Sequence, residues 1–101
     1  TLLRRVGRVL EALDAYAESI AVFQQVGARR MEARAKSSMA FALYVLGRYE
    51  DGIVLGEEAM AIDLAIGGRF QVAKTLANIG LCRAGAGMLT EGLDYLERAR
   101  E

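Results

Sequence analysis

Few side chains in this sequence could do chemistry: two neighbouring carboxylate pairs, Glu50-Asp51 and Glu57-Glu58, one thiol, Cys82, and a run of glycines at 80, 85 and 87. General acid–base work needs two carboxylates converging on one point, but adjacent side chains on a helix diverge. Both pairs therefore read as a solvated face. Cys82 lies among Ile79, Leu81 and Ala84 with no histidine in the chain to take its proton, so it reads as a small buried hydrophobe and not a nucleophile. The glycine run has the density of a phosphate loop, yet it follows a helical stretch and lacks the P-loop lysine. It reads as a loosened helix end. Without histidine, the commonest general base, proton shuttle and metal ligand is missing, and scattered carboxylates alone make a poor metal site. No catalytic residue, cofactor or metal is expected, which leaves binding as the work to be explained.

The 101 residues include 13 basic and 13 acidic side chains, a formal net charge of zero. That balance argues against nucleic acid and anionic membranes as partners, since both are recognised through an excess of positive charge. The longest charge-free stretch, Ser37 to Gly47, falls well short of the roughly 18 apolar residues that a membrane span requires, and no signal peptide is seen. One cysteine cannot form an internal disulfide, which leaves a reducing compartment open. With 53% apolar and 26% charged residues, the chain has the composition of one folded domain, 1–101. It begins with Thr1 and ends on Glu101 inside a helical pattern, so a piece of a larger cytoplasmic protein is expected.

Internal repetition decides the architecture. Gly7, Gly27, Gly47, Gly67 and Gly87 recur every twenty residues, separated by stretches rich in helix formers. Each glycine reads as a helix end, because helices commonly close on one left-handed residue, which glycine adopts without a Cβ penalty. A shift of forty residues lays Gly7 to Leu13 over Gly47 to Ile53 and over Gly87 to Leu93, so two helices make one repeat. The spacing predicts one set of helices, B, near 8–26, 48–66 and 88–101, and a second set, A, near 28–46 and 69–86. Apolar residues recur at helical spacing: Leu10, Leu13, Tyr16, Ile20 and Phe23 share a face, as do Tyr49, Ile53, Met60 and Ile62. The expected fold is all-α, about five helices in stacked antiparallel hairpins. It divides as a partial repeat 1–27, a full repeat 28–67 and a nearly full repeat 68–101. Small residues at Ala12, Gly52 and Gly92, with Ala40 and Gly80, would let backbones approach where helices cross. Glycine costs about 1 kcal/mol in a helix interior, so its recurrence there points to a packing need.

The run Leu46-Gly47-Arg48-Tyr49-Glu50-Asp51-Gly52-Ile53 followed by Glu58-Ala59-Met60 resembles the turn and second helix of tetratricopeptide repeats, with Gly7 to Ser19 and Gly87 to Ala99 as weaker copies. The forty-residue period exceeds the usual 34 and is similar to the longer subclass found in kinesin light chains, Leu-Gly-Asn-type polarity adaptors and bacterial regulators. The proline common near the end of the second helix is absent, and Lys36 and Arg83 stand where the family tends to place large apolar residues. The resemblance implies an α-solenoid whose A helices line a concave groove for a protein or peptide. Matching groove positions are Arg34, Ser37, Ser38, Phe41 and Tyr44 on the first A helix and Lys74, Asn78 and Leu81 on the second. In the longer subclass an asparagine at the place of Asn78 hydrogen-bonds an extended peptide backbone; a water-exposed or capping amide is the plainer alternative. For Phe41 and Tyr44 that alternative is packing between hairpins.

Charge separates along the same pattern. Residues 1–7 (Arg4, Arg5), 28–46 (Arg29, Arg30, Arg34 and Lys36 against Glu32) and 68–86 (Arg69, Lys74, Arg83) are all net positive, while 8–26, 48–66 and 88–101 are all net negative. Arg29, Arg30 and Arg69 fall near helix starts, where positive charge is mildly unfavourable. Two arrangements produce this segregation: ion pairs between A and B helices, or an electropositive groove that attracts an acidic or carboxylate-bearing peptide. The expected function is peptide binding in a basic groove. A structural or self-association module, with homo-oligomers formed through exposed terminal repeats, is the second expectation, and enzymatic activity is not expected.

Overall fold

The computed structural model describes residues 1–100; Glu101, the end of the last expected helix, lies outside them. The chain is all-α. Its five helices among the described residues are α1 (Leu2–Val26), α2 (Arg29–Val45), α3 (Tyr49–Ile66), α4 (Arg69–Gly85) and α5 (Leu89–Arg100). The expected A helices are α2 and α4, and the expected B helices are α1, α3 and α5.

The turns explain the twenty-residue rhythm. Gly27, Gly47, Gly67 and Gly87 all have positive φ, between 74° and 89°. At Gly47 the two closing bonds of a Schellman turn are present: Gly47 N–H donates to Tyr44 C=O at 3.0 Å and Arg48 N–H to Leu43 C=O at 2.8 Å. The same pair recurs after α1 and α4, satisfying carbonyls that a helix end would otherwise orphan.

Gly7 departs from this rhythm and corrects the expectation that α1 begins at residue 8. It lies inside α1, which starts from Thr1, whose side-chain oxygen accepts from Arg4 N–H at 3.2 Å. A glycine permits a left-handed turn but does not impose one. The turn forms where two flanking helices bury surface against each other, and the residues before Gly7 are all exposed. The first turns of α1 are accordingly exposed, with Leu2 and Leu3 largely and Leu10 about half open to solvent. The apolar face predicted from Leu10 is covered from Leu13 onward.

Each helix packs against the next in sequence, and α2 also packs against α4. Helices α1, α3 and α5 do not touch one another. The molecule measures 38 × 37 × 18 Å, and its short dimension is the depth of two packed helices of about 10 Å each. The core is built from small side chains: Ala33, Ala40, Ala59 and Cys82 have no exposed surface, and Ile79 is nearly so. A second cluster joins Leu13 of α1 to Ala42 and Leu43 of α2.

Small residues replace bulk because the helices cross nearly backbone to backbone. A Cβ on Gly92 would fall 2.7 Å from both Ala84 N and Gly80 O, and one on Gly52 would fall 2.6 Å from Cys82 Sγ and 3.1 Å from Ala40 O. These are the close approaches that the sequence pattern anticipates at Gly52, Gly80, Gly92 and Ala40. Gly92→Ala should therefore lower stability by about 1–3 kcal/mol through overpacking, although alanine favours a helix by about 1 kcal/mol. Urea denaturation checks the sign: a more stable variant would show that the α4–α5 crossing is looser than described.

Candidate functional site

The α2–α4 contact is held by polar groups. Ser37 and Thr75 are fully buried, and Asp63 and Asn78 nearly so. The Asn78 side-chain amide donates to the Ser37 carbonyl and lies equally close to Ser37 Oγ, both at 3.0 Å. Thr75 Oγ1 lies 3.1 Å from Ser37 Oγ and 2.9 Å from Asp63 Oδ2. Each hydroxyl carries one proton, and an ionised carboxylate can only accept. Thr75 therefore donates to Asp63, Ser37 donates to Thr75, and Asn78 donates to Ser37. This chain of donors joins α4, α2 and α3.

Two sequence expectations change here. Ser37 cannot meet a ligand, because its position on α2 turns it into α4. Asn78 is neither a water-exposed amide nor a turn cap: its two donors are taken by Ser37, and only its edge reaches the surface.

The basic side chains of α2 and α4 divide into two groups. Lys36 is buried, with Nζ 2.8 Å from Glu58 Oε1 and 3.0 Å from Glu32 Oε2. Arg83 pairs with Glu57 of α3 and Glu91 of α5 and lies 5.0 Å from the centre of the Tyr95 ring. Thus Lys36 and Arg83 tie these helices to α3 and α5. Glu32 also receives Arg29 Nη1 at 3.0 Å and Gln24 Nε2 at 3.2 Å. Burial alone would push the Glu32 carboxyl up, but hydrogen bonds from Lys36 and Gln24 and the charges of Lys36 and Arg29 outweigh it and hold the carboxyl below its ordinary value. Burial likewise pushes Lys36 down, and its two carboxylate partners more than reverse that.

Arg30, Arg34, Arg69 and Lys74 behave differently. All four are exposed, and none has a carboxylate within ion-pair distance among the described residues. Arg30, Arg34 and Arg69 line one hollow of about 420 Å³ together with Asp63, Ile66 and Phe70. A second hollow of about 310 Å³ is lined by Tyr16, Ser38, Phe41, Lys74 and Asn78.

The structure thus brings Ser38, Phe41, Lys74 and Asn78 together in one hollow and places Arg34 in the other. Phe41 is 47% exposed there. Tyr44 is half-buried between the rings of Phe41 and Tyr49, at 6.0 and 5.9 Å, and lines neither hollow. Leu81 is half-buried and also lies outside both. Eight lining residues were missed: Tyr16, Arg30, Asp63, Ile66, Gly68, Arg69, Phe70 and Gln71. Part of the signal was present in the repeat, because Arg30, Arg34 and Ser38 lie over Phe70, Lys74 and Asn78 at a shift of forty. Each trio runs at i, i+4 spacing, which keeps it on one helix face.

Cys82 is buried, its Sγ 3.7 Å from Ala40 O, and burial pushes the thiol up, so it packs as a small apolar group. Three or more potential metal ligands do not cluster anywhere among the described residues, and no helix there is long and apolar enough to cross a membrane. No family model, curated protein or solved structure matches the chain.

Asp63 provides a test of the polar chain. Burial raises its carboxyl above the ordinary value, and the Thr75 hydrogen bond only partly opposes this. A raised folded-state pKa contributes stability below the unfolded value of about 3.9 and loses it as pH rises through the folded value. Asp63→Asn keeps an acceptor for Thr75 and removes the buried charge. It should be more stable than the natural chain at neutral pH, with the difference shrinking as pH falls through the raised folded value and gone by about 4. Urea midpoints at both pH values measure this; a less stable variant at neutral pH would contradict it.

Proposed function

We propose that this chain is a helical-repeat scaffold of the tetratricopeptide type, part of a larger cytoplasmic bacterial protein, and that it binds an acidic segment of another protein along the face shared by α2 and α4. The observation that carries the reading is the division of the cations. Those directed at α3 and α5 are paired, whereas Arg30, Arg34, Arg69 and Lys74 stand unpaired around two hollows on the same two helices. Arg30 and Arg69 lie in the first turns of α2 and α4, where the helix dipole opposes positive charge. No partner among the described residues offsets that cost.

From Arg30 to Phe41 the stripe on α2 spans about 16 Å at 1.5 Å per residue, the length of about five residues of extended peptide. Phe41 and Tyr16 offer apolar contact beside Lys74 in one hollow, and the arginines offer charge in the other. A glutamate- and aspartate-rich peptide carrying one aromatic residue should bind, and its affinity should fall as salt rises from about 50 to 500 mM, because exposed charges are screened over about 10 Å or less in that range. Fluorescence anisotropy of a labelled peptide measures this. Absence of binding, or binding indifferent to salt, would refute the basic face as the ligand site.

The exposed apolar residues at the two ends favour a second reading, self-association. Leu2, Leu3, Val6 and Leu10 of α1 and Leu89 and Leu93 of α5 are open to solvent, and unpaired repeat faces associate readily. In that case the mass measured by sedimentation equilibrium rises with concentration; a strict monomer at the highest concentrations would exclude it.

A further inference from the structure

We infer that the hollow between Arg30, Arg34 and Arg69 is a site for a phosphate monoester carried beside a flat ring. The inference deepens the peptide-binding reading by assigning a chemistry to one end of its face, but the geometry behind it stands without that reading.

Three guanidinium groups from two different helices line one cavity of about 420 Å³. Guanidinium forks match phosphate oxygens, with several donors each. The only carboxylate in the lining is Asp63, which is buried and already accepts from Thr75. Counting it as ionised, three cations and one anion leave two positive charges uncompensated. A carboxylate would neutralise one of them. A phosphate monoester carries about −1.5 to −2 at neutral pH and matches the pair.

Backbone adds to the same side of the cavity. Gly68 is the N-cap of α4 and supplies no side-chain cap. Gly68, Arg69, Phe70 and Gln71 all line the hollow, so the uncapped start of a seventeen-residue helix meets it. Helix starts favour anions through their free N–H groups.

The rest of the lining is apolar. Phe70 is 85% exposed and Ile66 37% exposed, and both border the hollow. An exposed phenyl ring beside three arginines favours a ligand that places a flat ring next to its phosphate, because the ring buries against Phe70 while the phosphate meets the guanidiniums. Two sources supply that chemistry: a phosphotyrosine side chain in a peptide, or a nucleoside monophosphate.

The test is titration of the isotopically labelled chain with phenyl phosphate, followed through backbone amide shifts. Saturable shifts are expected at Arg30, Arg34 and Arg69 to Gln71, with inorganic phosphate and phenol each binding about tenfold more weakly or less. Arg34→Gln/Arg69→Gln should keep the thermal midpoint of the natural chain and lose roughly tenfold in affinity. Competition against bound phenyl phosphate by a phosphotyrosine peptide and by adenosine 5′-monophosphate identifies the source as whichever displaces it at lower concentration. Inorganic phosphate binding as tightly as phenyl phosphate, the absence of saturation, or undiminished affinity in the double variant would each overturn the assignment. An unphosphorylated acidic peptide separates the two proposals. Its failure while phenyl phosphate binds refutes only the peptide reading, and its binding without any response to phenyl phosphate refutes only this one.

Discussion

One carboxamide joins two helices that are not neighbours in sequence. Asn78 of α4 reaches the Ser37 carbonyl of α2, and among the described residues α2 and α4 are the one pair of non-consecutive helices that pack together. A buried amide left without partners costs about 1–3 kcal/mol, so the register of α2 against α4 is set wherever both of its donors are satisfied. Thr75 and Asp63 extend the same requirement to α3. With the register fixed, Arg30 and Arg34 on one helix and Arg69 on the other come to border a single hollow. The position of the arginines follows from hydrogen bonds in which none of them takes part.

The same two helices use positive charge for two purposes. Lys36 and Arg83 point toward the acidic helices and are largely withdrawn from water, where an ion pair lasts only if further partners satisfy it. Lys36 has two carboxylates, and Arg83 has two carboxylates and an aromatic ring. These pairs hold α3 and α5 in place. The remaining cations on the opposite side have no such partners and therefore keep their full attraction for an external anion. Zero net charge conceals both arrangements, because it counts paired and unpaired charges alike.

Much of the architecture was legible in the glycines. A left-handed helix end imposes a conformational requirement that few other residues meet, and the close crossings at Gly52, Gly80 and Gly92 impose a steric one. Gly7 misled because a permissive residue marks a turn only where flanking helices pack. The site was legible in part. The stripe of Arg34, Ser38, Lys74 and Asn78 follows from helical spacing and the forty-residue shift, but the burial of Ser37 does not. Ser37 and Ser38 are adjacent, equally small and polar, and only the rotation of α2 against α4 sends one inward and the other into the hollow. The pairing of Lys36 with Glu58 was hidden for a similar reason: the two are twenty-two residues apart, and no local rule connects them, unlike the i,i+4 pair of Lys36 with Glu32.

The central claim is that the cations of α2 and α4 serve two separate ends, and urea denaturation at low ionic strength tests it most directly. Replacing Arg30, Arg34 and Arg69 together by glutamine should leave the midpoint unchanged or raise it, since three uncompensated like charges would be removed. Lys36→Met should lower the midpoint, since it strands buried Glu32 without its buried cation. A triple variant that unfolds at clearly lower urea would contradict the account, because it would show that these arginines support the fold and are not held free for a ligand.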